Sequence, residues 1–279
     1  TIQDTLKIEY KIPGTTFNGQ PFEFYYELPP APEGGSITET KLFDFSGYLI
    51  DMTGKYGDTI NTIYTESRGW IDSSGVITHI SLEDSVFNTI TIKEIIPDKA
   101  WGYMGKDTVY ENQELDFSNF SSFNGQFDLK FTEVKLLTEN FIGANADIKI
   151  NNFKSINDQS EIELNSDILS SIININAASE NLNSVHEVNS STIELVFDEK
   201  NSNIDELIEN KPKTIGVDFE ILLNPNDNQE DGFLFRNYGI KSELQIEIPL
   251  SFSGSNIILK DTLDVSFSID NIQQGSLSL

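Results

Sequence analysis

The segment NSNIDELIENKPKTIGVDFEILLNPN, residues 201–226, contains the one change of hydrophobic period in this chain of 279 residues. Its first part places Leu207 and Ile208 three and four residues after Ile204, which puts all three on one face of a helix. Its second part, TIGVDFEILL, has apolar residues at every second position, which is the period of a strand. The segment therefore predicts a helix followed directly by a strand.

The predicted helix lies near residues 203–210, with Ser202 or Asn203 as a good N-cap and with Pro212 ending it. A helix of about two turns is not stable alone, so tertiary contacts must hold its apolar face. A short helix between two strands fits a crossover from one sheet to another, and we expect this helix to cover an open end between the sheets.

Outside this helix the chain alternates apolar and polar residues, for example in LKIEYKI, PFEFYYEL, TIELVF and SELQIEIPLSF. Such alternation indicates strands with one dry and one wet face, which are typical of antiparallel sheets. Turn-forming clusters such as PGTTFNGQP and NPNDNQEDG separate the strands. We therefore predict an all-β protein of antiparallel, sandwich-like units with one short crossover helix.

We predict two units, an N-terminal antiparallel unit of residues 1–110 and a C-terminal sandwich of residues 111–279. The last residues, NIQQGSLSL, keep an apolar pattern that includes Leu277 and Leu279. Since a natural terminus usually frays into polar residues, we expect the natural chain to continue beyond residue 279.

The chain has 45 acidic and 18 basic residues and a formal net charge of −27. This charge repels the phosphate backbone, so we expect no nucleic-acid partner. Direct attraction to anionic lipid is disfavoured for the same reason. The chain has no cysteine, which excludes disulfides and thiolate metal sites. No apolar run approaches the roughly 18 residues that a transmembrane helix needs.

Several segments, in their order along the chain, resemble a group of large outer-membrane-type lipoproteins of Bacteroidota. They include IPGTTFNGQPF, DFSGYLIDMTG, AWGYMGKDTV, GQFDLKFTEVKLLTENFIGANADIKINNFKSI and the segment of residues 201–226. The resemblance covers nearly the whole chain, and each segment alone is weak. It implies an extracytoplasmic location at the outer membrane, with membrane contact only through an N-terminal lipid anchor that lies outside this sequence.

The resemblance supplies no catalytic residues, and we expect a non-enzymatic module that acts in scaffolding or protein assembly with other cell-envelope proteins. One alternative is a carrier whose sheets enclose an apolar cavity for a lipid-like ligand. Another is a protein that binds or degrades glycans. A filled sandwich core would favour the scaffold over the carrier.

The sequence identifies no catalytic constellation and no cofactor fingerprint. His79 and His186 are the two histidines, and no nucleophile-elbow glycine pattern accompanies them. Acidic pairs suited to glycoside hydrolysis are abundant by composition alone, so no pair stands out. The acids that we considered for such pairs are Glu9, Glu23, Glu27, Asp44, Asp51, Glu161 and Glu163.

The loop NPNDNQEDG contains alternating oxygen-bearing side chains of the kind that bind calcium. It lacks the distal glutamate and the flanking helices of an EF-hand, and an ordinary polar hairpin loop is the simpler explanation. The possible ligands are Asn226, Asn228 and Glu230, or Asp227, Gln229 and Asp231.

Five Asp-Thr or Asp-Ser pairs precede an aliphatic residue, a tripeptide at which exported Bacteroidota proteins carry O-linked glycans. The resemblance therefore implies that hydroxyls at surface positions of this kind are modified. The alternative is that Asp and Thr are common at turns and strand starts. The implied positions are Thr5, Thr59, Ser85, Thr108 and Thr262.

The chain is rich in aromatic residues, which serve either as core or as exposed anchors for a sugar or a protein partner. Core packing is the simpler explanation for most of them. The residues considered for exposed anchoring are Tyr25, Tyr48, Tyr64, Trp70, Trp101, Tyr103 and Tyr110.

Overall fold

A computed structural model describes residues 4–32, 34–72, 86–87, 89–93, 96–118, 132–181, 188–249 and 256–265. The chain forms two compact units, Thr1–Ile92 and Lys93–Leu279. The strand ladders of the described residues are antiparallel, so the predicted all-β, sandwich-like fold is confirmed. Leu277 and Leu279 lie outside the described residues.

The division between the units falls at Ile92 and Lys93, not near residue 110 as the sequence suggested. Residue 110 lies inside one continuous strand, Asp107–Asp116, which pairs along its whole length with the strand Thr214–Leu223 of the second unit. A boundary at residue 110 would cut this ladder, which explains the difference.

The first unit contains a sheet of four strands built around its longest strand. These strands are β1 (Leu6–Phe17), β2 (Gln20–Leu28), β3 (Leu49–Ile50) and β4 (Glu66–Trp70). β1 pairs with β2 on one side and with β3 and β4 on the other. β1 and β2 are joined by the Asn-Gly pair Asn18 and Gly19, whose φ angles of 50° and 77° suit a two-residue hairpin turn.

The second unit contains the remaining strands and a helix that we call α1 (Ile204–Glu209). Its strands are β5 (Lys99–Tyr103), β6 (Asp107–Asp116), β7 (Glu133–Asn140), β8 (Ala146–Ile156), β9 (Glu161–Glu163), β10 (Ile173–Ile175), β11 (Ser179–Glu180), β12 (Val188–Asn189), β13 (Ser191–Phe197), β14 (Thr214–Leu223), β15 (Asp231–Phe235), β16 (Ile240–Pro249) and β17 (Asn256–Val265).

Two larger sheets form the sandwich of the second unit. One has the order β10-β8-β14-β6, with β9 also paired to β8, and the other has the order β13-β7-β16-β17. Their edges approach each other, because β17 lies near β6 and β10 lies near β13. Two small sheets, β5 with β15 and β11 with β12, also belong to the described part of this unit.

The inner faces of these two sheets form one core of buried, contacting side chains. β14 contributes every second residue from Ile215 to Leu223, as its alternation predicted. β7 and β16 contribute from the opposite sheet, with Val134 and Leu244 each at 0% exposure. Side chains from both sheets therefore meet in the interior, as in a packed sandwich.

α1 connects β13 of one sheet to β14 of the other, so the predicted crossover is confirmed. Its residues Ile204, Leu207 and Ile208 are buried in the core at 0 to 1% exposure. α1 lies against β8 and β9. Tertiary burial of one face therefore stabilises a helix that is too short to persist alone.

The N-terminal end of α1 is held differently from the prediction, and the helix ends before Pro212 as expected. Asn203 is at the N-cap position, but its side chain makes no capping bond to the helix. Instead its Oδ1 accepts the N–H of Asn165 at 2.6 Å, and its Nδ2 donates to the carbonyl of Glu163 at 3.1 Å. The Oγ of Ser202 donates to the carbonyl of Asp198 at 2.9 Å. The side chain of Asn203 thus fixes the start of the helix to the end of β9.

One irregularity keeps β8 in phase with the core. Its register with β14 shifts between Asp218 and Phe219, because Asp218 pairs with Asn152 and Phe219 pairs with Ile150. The extra residue, Asn151, is a β-bulge. As a result Ile150 and Phe153 are both 1% exposed although they are three residues apart. Within the described residues, no helix is long and apolar enough to cross a membrane.

Candidate functional site

The sheet of the first unit has two different faces, and the register of its strands determines which side chains share each face. Residues paired across neighbouring strands point to the same side. Lys7 of β1 pairs with Glu27 of β2 and with Trp70 of β4. The face defined by these pairs consists of Lys7, Glu9, Lys11, Glu23, Tyr25, Glu27, Glu66, Arg68 and Trp70, and we call it the charged face.

Opposite charges are paired across the strands of the charged face. The Nζ of Lys11 lies 3.1 Å from Glu23 and 3.4 Å from Glu9. The Nζ of Lys7 donates to Asp72 and lies 3.9 Å from Glu27. The hydrogen bond to Asp72 raises the pKa of Lys7, and the hydrogen bond to Glu23 raises the pKa of Lys11. Both lysines are therefore charged at neutral pH.

Two aromatic rings lie together on the charged face. The ring centroids of Tyr25 and Trp70 are 5.9 Å apart, and the guanidinium of Arg68 lies 5.3 Å from the Trp70 ring. The hydroxyl of Tyr25 donates to Glu27 at 2.7 Å, which raises the pKa of Tyr25. The structure thus brings together two of the seven aromatic residues that the sequence analysis considered.

A shallow depression of about 590 Å³ lies at one end of the charged face. Its lining is mainly polar and consists of Glu9, Lys11, Tyr64, Thr65, Glu66, Ser67 and Arg68. The hydroxyl of Tyr64 donates to Glu66 at 2.8 Å. Carboxylates, hydroxyls and a guanidinium beside aromatic rings can hydrogen-bond and stack against a polar ligand.

The opposite face of the same sheet is apolar and aromatic. β2 places Phe22, Phe24 and Tyr26 on this face, in register with Ile12, Tyr10 and Ile8 of β1. The segment of residues 41–48 lies against them, with ring centroids of Phe43 and Phe45 at 4.6 Å from Phe24 and 5.0 Å from Phe22, respectively. We call the face formed by Phe17, Phe22, Phe24, Tyr26, Phe43, Phe45 and Tyr48 the aromatic face.

The aromatic face is only partly covered. Phe43 is 41% exposed and Phe17 is 45% exposed, while Leu42 beside them is 93% exposed. In β1, Ile8 and Ile12 are buried, but the paired side chains of β2 are half-buried. Phe43 and Phe45 were not predicted from the sequence to lie at a site. The feature that could have identified them is their spacing of two residues in LFDF, which is the period of a strand although the segment is a loop.

The other aromatic residues considered from the sequence are dispersed. Trp101 is 52% exposed, donates from Nε1 to Glu180 at 2.8 Å and packs edge-on against Phe235. Tyr110 is 70% exposed on β6. Tyr48 belongs to the aromatic face at 5.2 Å from Phe17. Tyr48 therefore lies on the opposite face of the sheet from Tyr25 and Trp70, while Trp101 and Tyr110 belong to the second unit.

The loop proposed for calcium is organised by its own side chains. Asn224, at 4% exposure, donates to the carbonyl of Asn228 at 3.1 Å and accepts its N–H at 3.0 Å. Asp227 accepts the hydroxyl of Tyr103, which raises the pKa of Tyr103. Asn226, Glu230 and Asp231 are exposed. The calcium hypothesis stays a prediction.

Within the described residues, no group of three or more histidine or acidic side chains is arranged to hold a metal ion. His79 and His186 lie outside the described residues, so the structure does not place them.

The proposed glycosylation hydroxyls differ in their settings. Thr108 is exposed on β6, and its N–H is bound by the Asp107 side chain at 2.8 Å. Thr59 is exposed, but its hydroxyl donates to the carbonyl of Thr53 at 2.8 Å. Thr5 is half-buried, Thr262 is in strand β17, and Ser85 lies outside the described residues. Thr59 and Thr108 are therefore the exposed positions among those whose side chains are described, and the hydroxyl of Thr59 is already hydrogen-bonded.

Comparison of the chain with models of protein families, with curated proteins and with solved structures finds no match in any of the three.

Proposed function

We propose that this protein is a non-catalytic, extracytoplasmic β module of an outer-membrane-associated lipoprotein, and that it acts in scaffolding or protein assembly at the cell envelope. The location and the lipoprotein context come from the resemblance of its sequence segments. In this proposal the second unit is a rigid support, and the first unit binds a partner protein through the aromatic face.

The unequal burial of the two units supports this proposal. Among the described residues of the first unit, Ile8 and Ile12 are the hydrophobic side chains that reach core burial, whereas the second unit contains a large core. Exposed apolar patches of this kind mark interaction surfaces in soluble proteins. The exposed large hydrophobic residues of the first unit are Phe17, Tyr25, Leu42, Phe43, Leu49, Tyr56, Ile60, Val86, Phe87 and Ile92.

A protein partner fits this face better than a nucleic acid or an anionic lipid surface does. The net charge of −27 repels both of those polyanions. Half-buried aromatic rings are the typical anchors of protein interfaces, because they offer a large apolar area with few rotatable bonds. Phe22, Phe24 and Phe43 offer this kind of area on the aromatic face.

Site-specific photocrosslinking in the native cells tests the proposal. A photoreactive residue at Leu42 or Phe43 should give a discrete crosslinked protein band, because these side chains lie on the proposed interface. The matched control is Ile172, which is 62% exposed on the second unit. Equal crosslinking from Leu42, Phe43 and Ile172, or none from Leu42 and Phe43, would contradict the proposal.

The packed interior of the second unit supports the scaffold over the alternative of a lipid carrier. Side chains such as Leu136 from one sheet and Ile150 from the other are each 1% exposed and belong to one contacting core. A carrier needs a cavity of several hundred Å³ for its ligand. Binding of a fluorescent fatty acid with micromolar affinity would favour the carrier.

Glycan binding at the charged face is a second candidate function. The observation that favours it is the pair of Tyr25 and Trp70 beside Arg68 and the polar depression. The chain has two tryptophans, so the Trp101→Phe variant leaves Trp70 as a single fluorescent reporter. A change in its emission on addition of oligosaccharides, lost in Tyr25→Ala, would support glycan binding. Unchanged emission with a broad set of oligosaccharides would contradict it.

A further inference from the structure

We propose that the free edge of β2 binds an extended strand of the partner protein, and that this strand alternates apolar and basic residues. The inference rests on the proposed function, because it specifies how a partner would bind to the first unit. The partner segment would become a further β-strand of the sheet, next to β2.

β2 is suited to strand addition because it is long and regular. Seven of its nine residues, from Phe22 to Leu28, pair in unbroken register with β1. Among the described residues, β1 is the strand that pairs with β2, so β2 is the edge of the sheet that these residues form. The backbone N–H and C=O groups on the outer side of an edge strand form a template for another strand.

Every second side chain of an added strand would point to the same side of the sheet as the aromatic face. Phe22, Phe24 and Tyr26 alternate along β2 and are half-buried, and Phe43 covers part of them from the loop. Alternate apolar side chains of a new strand would pack beside these rings and reduce the exposure of Phe43 and Leu42. This explains why the partner strand should be apolar at every second position.

The other side of an added strand would lie beside acidic residues. Glu23 and Glu27 flank Tyr25 on the charged face, and their side chains are 53% and 52% exposed. Across the sheet the charges alternate in sign, because Glu23 is opposite Lys11 and Glu27 is opposite Lys7. A further strand that continues this alternation has basic residues opposite Glu23 and Glu27.

The same charges disfavour a second copy of this chain as the occupant. Antiparallel pairing of two β2 strands about Tyr25 would place Glu23 of one copy opposite Glu27 of the other. Like charges directly opposite each other destabilise a strand pair. The net charge of −27 on each chain adds to the repulsion. The edge therefore selects a basic strand from a different protein.

A binding assay with synthetic peptides tests the inference. The probe is a nine-residue fluorescent peptide of alternating lysine and valine, and the comparison peptide has glutamate in place of lysine. We expect the basic peptide to bind, to slow amide hydrogen exchange in β2 and to leave exchange in β13 unchanged. The acidic peptide should not bind. Binding without protection of β2 would overturn the inference.

Charge reversal separates strand addition from general attraction to an acidic protein. The double variant Glu23→Lys with Glu27→Lys should weaken binding of the basic peptide at least about tenfold. The matched control, Glu194→Lys with Glu199→Lys, reverses two exposed carboxylates at and just beyond β13 of the second unit. Equal weakening by both double variants would overturn the inference. The double variant Glu23→Gln with Glu27→Gln removes the two charges without reversing them, and it should also weaken binding of the basic peptide. Circular dichroism checks that this variant is folded.

Crosslinking distinguishes failure of this inference from failure of the proposed function. If the Glu23→Lys with Glu27→Lys variant keeps the crosslink from Leu42 or Phe43 at full yield, the partner binds without strand addition and the inference is wrong. If the wild-type protein gives no crosslink from these positions, the proposed function is wrong. In that case the peptide assay still shows whether β2 accepts a strand.

Discussion

Buried asparagines hold the second unit together where its sheets meet. Asn140, at the end of β7, is 0% exposed, and its side chain makes three hydrogen bonds. Its Nδ2 donates to the carbonyls of Ala144 and Asn176, and its Oδ1 accepts the N–H of Ile142. This single residue therefore joins β7 of one sheet to the segments that flank β8 and β10 of the other.

Replacing Asn140 by alanine should lower the free energy of unfolding by about 1–3 kcal/mol, because the buried N–H of Ile142 and the carbonyls of Ala144 and Asn176 lose the side chain that binds them. Urea denaturation followed by circular dichroism measures the loss. The control is Asn112→Ala, since Asn112 is exposed and bonded to Asp218 on the surface. A loss below about 0.5 kcal/mol for Asn140→Ala would show that water replaces the three bonds.

Two aspartates in the first unit stabilise turns only while they are ionised. Asp51 accepts the N–H and the hydroxyl of Thr53, which lowers the pKa of Asp51 below its ordinary value of 3.8. A group with a lowered folded-state pKa contributes stability that is complete above 3.8 and is lost as pH falls through its folded-state value. Asp44 has the same arrangement with Ser46.

The Asp51→Asn variant should therefore lose less stability than the wild type when pH falls below 3.8. Unfolding midpoints in urea from neutral to strongly acidic pH would show a shallower curve for the variant. Asp44→Asn should behave in the same way, and the two effects should add. Parallel curves for wild type and variant would mean that these turn bonds persist in the unfolded chain.

Among the secondary-structure elements, α1 is stable only because it packs against the sheets. Leu207 is 0% exposed within the core, while Glu206, one residue away, is exposed. At the other end of the helix, the side chain of Asn210 donates to the hydroxyl of Ser155 in β8 at 3.1 Å. The helix is therefore fixed to β8 through both its apolar face and its C-terminal residue.

The Leu207→Ala variant should lower the free energy of unfolding by about 2–5 kcal/mol, through lost burial and the cavity that remains. Glu206→Gln is the control and should change it by less than about 0.5 kcal/mol. Thermal or urea unfolding of the purified protein measures both. If the two variants were equally stable, the helix would not be packed in the core of the folded protein.

At the scale of the whole molecule, the two units differ in how much apolar surface they bury. The second unit has a core drawn from both sheets and the helix, whereas the aromatic face of the first unit is half-exposed. Because burial of apolar surface is the main source of stability, the first unit should be the less stable one.

Hydrogen exchange followed by mass spectrometry should reveal two classes of amides. Those in β7, β8 and β14 should exchange slowest, and those in β2 and β4 should exchange faster and respond first to low denaturant. Partner binding to the first unit should slow its exchange and leave the second unit unchanged. A single cooperative transition with equal free energies in both units would contradict the expected difference.

Periodicity alone was enough to predict the strands with clean alternation and the helix α1, because side-chain period reports directly which face is buried. β14 and the charged side of β1 follow their patterns residue by residue, so Lys7, Glu9 and Lys11 share a face as expected. The boundary at Ile92 was not predictable from the sequence, since the continuous strand β6 depends on its pairing with β14.

The features that the sequence did not predict depend on contacts between residues far apart in sequence. The bulge at Asn151 depends on the register with β14, and no local pattern encodes it. Gly143 lies so close to β15 that a Cβ atom there would come within 2.6 Å of the backbone nitrogen of Phe233. The pairing of Tyr25 with Trp70 likewise requires β2 and β4 to lie on opposite sides of β1. Periodicity gives the direction of a side chain, but only packing decides its neighbours.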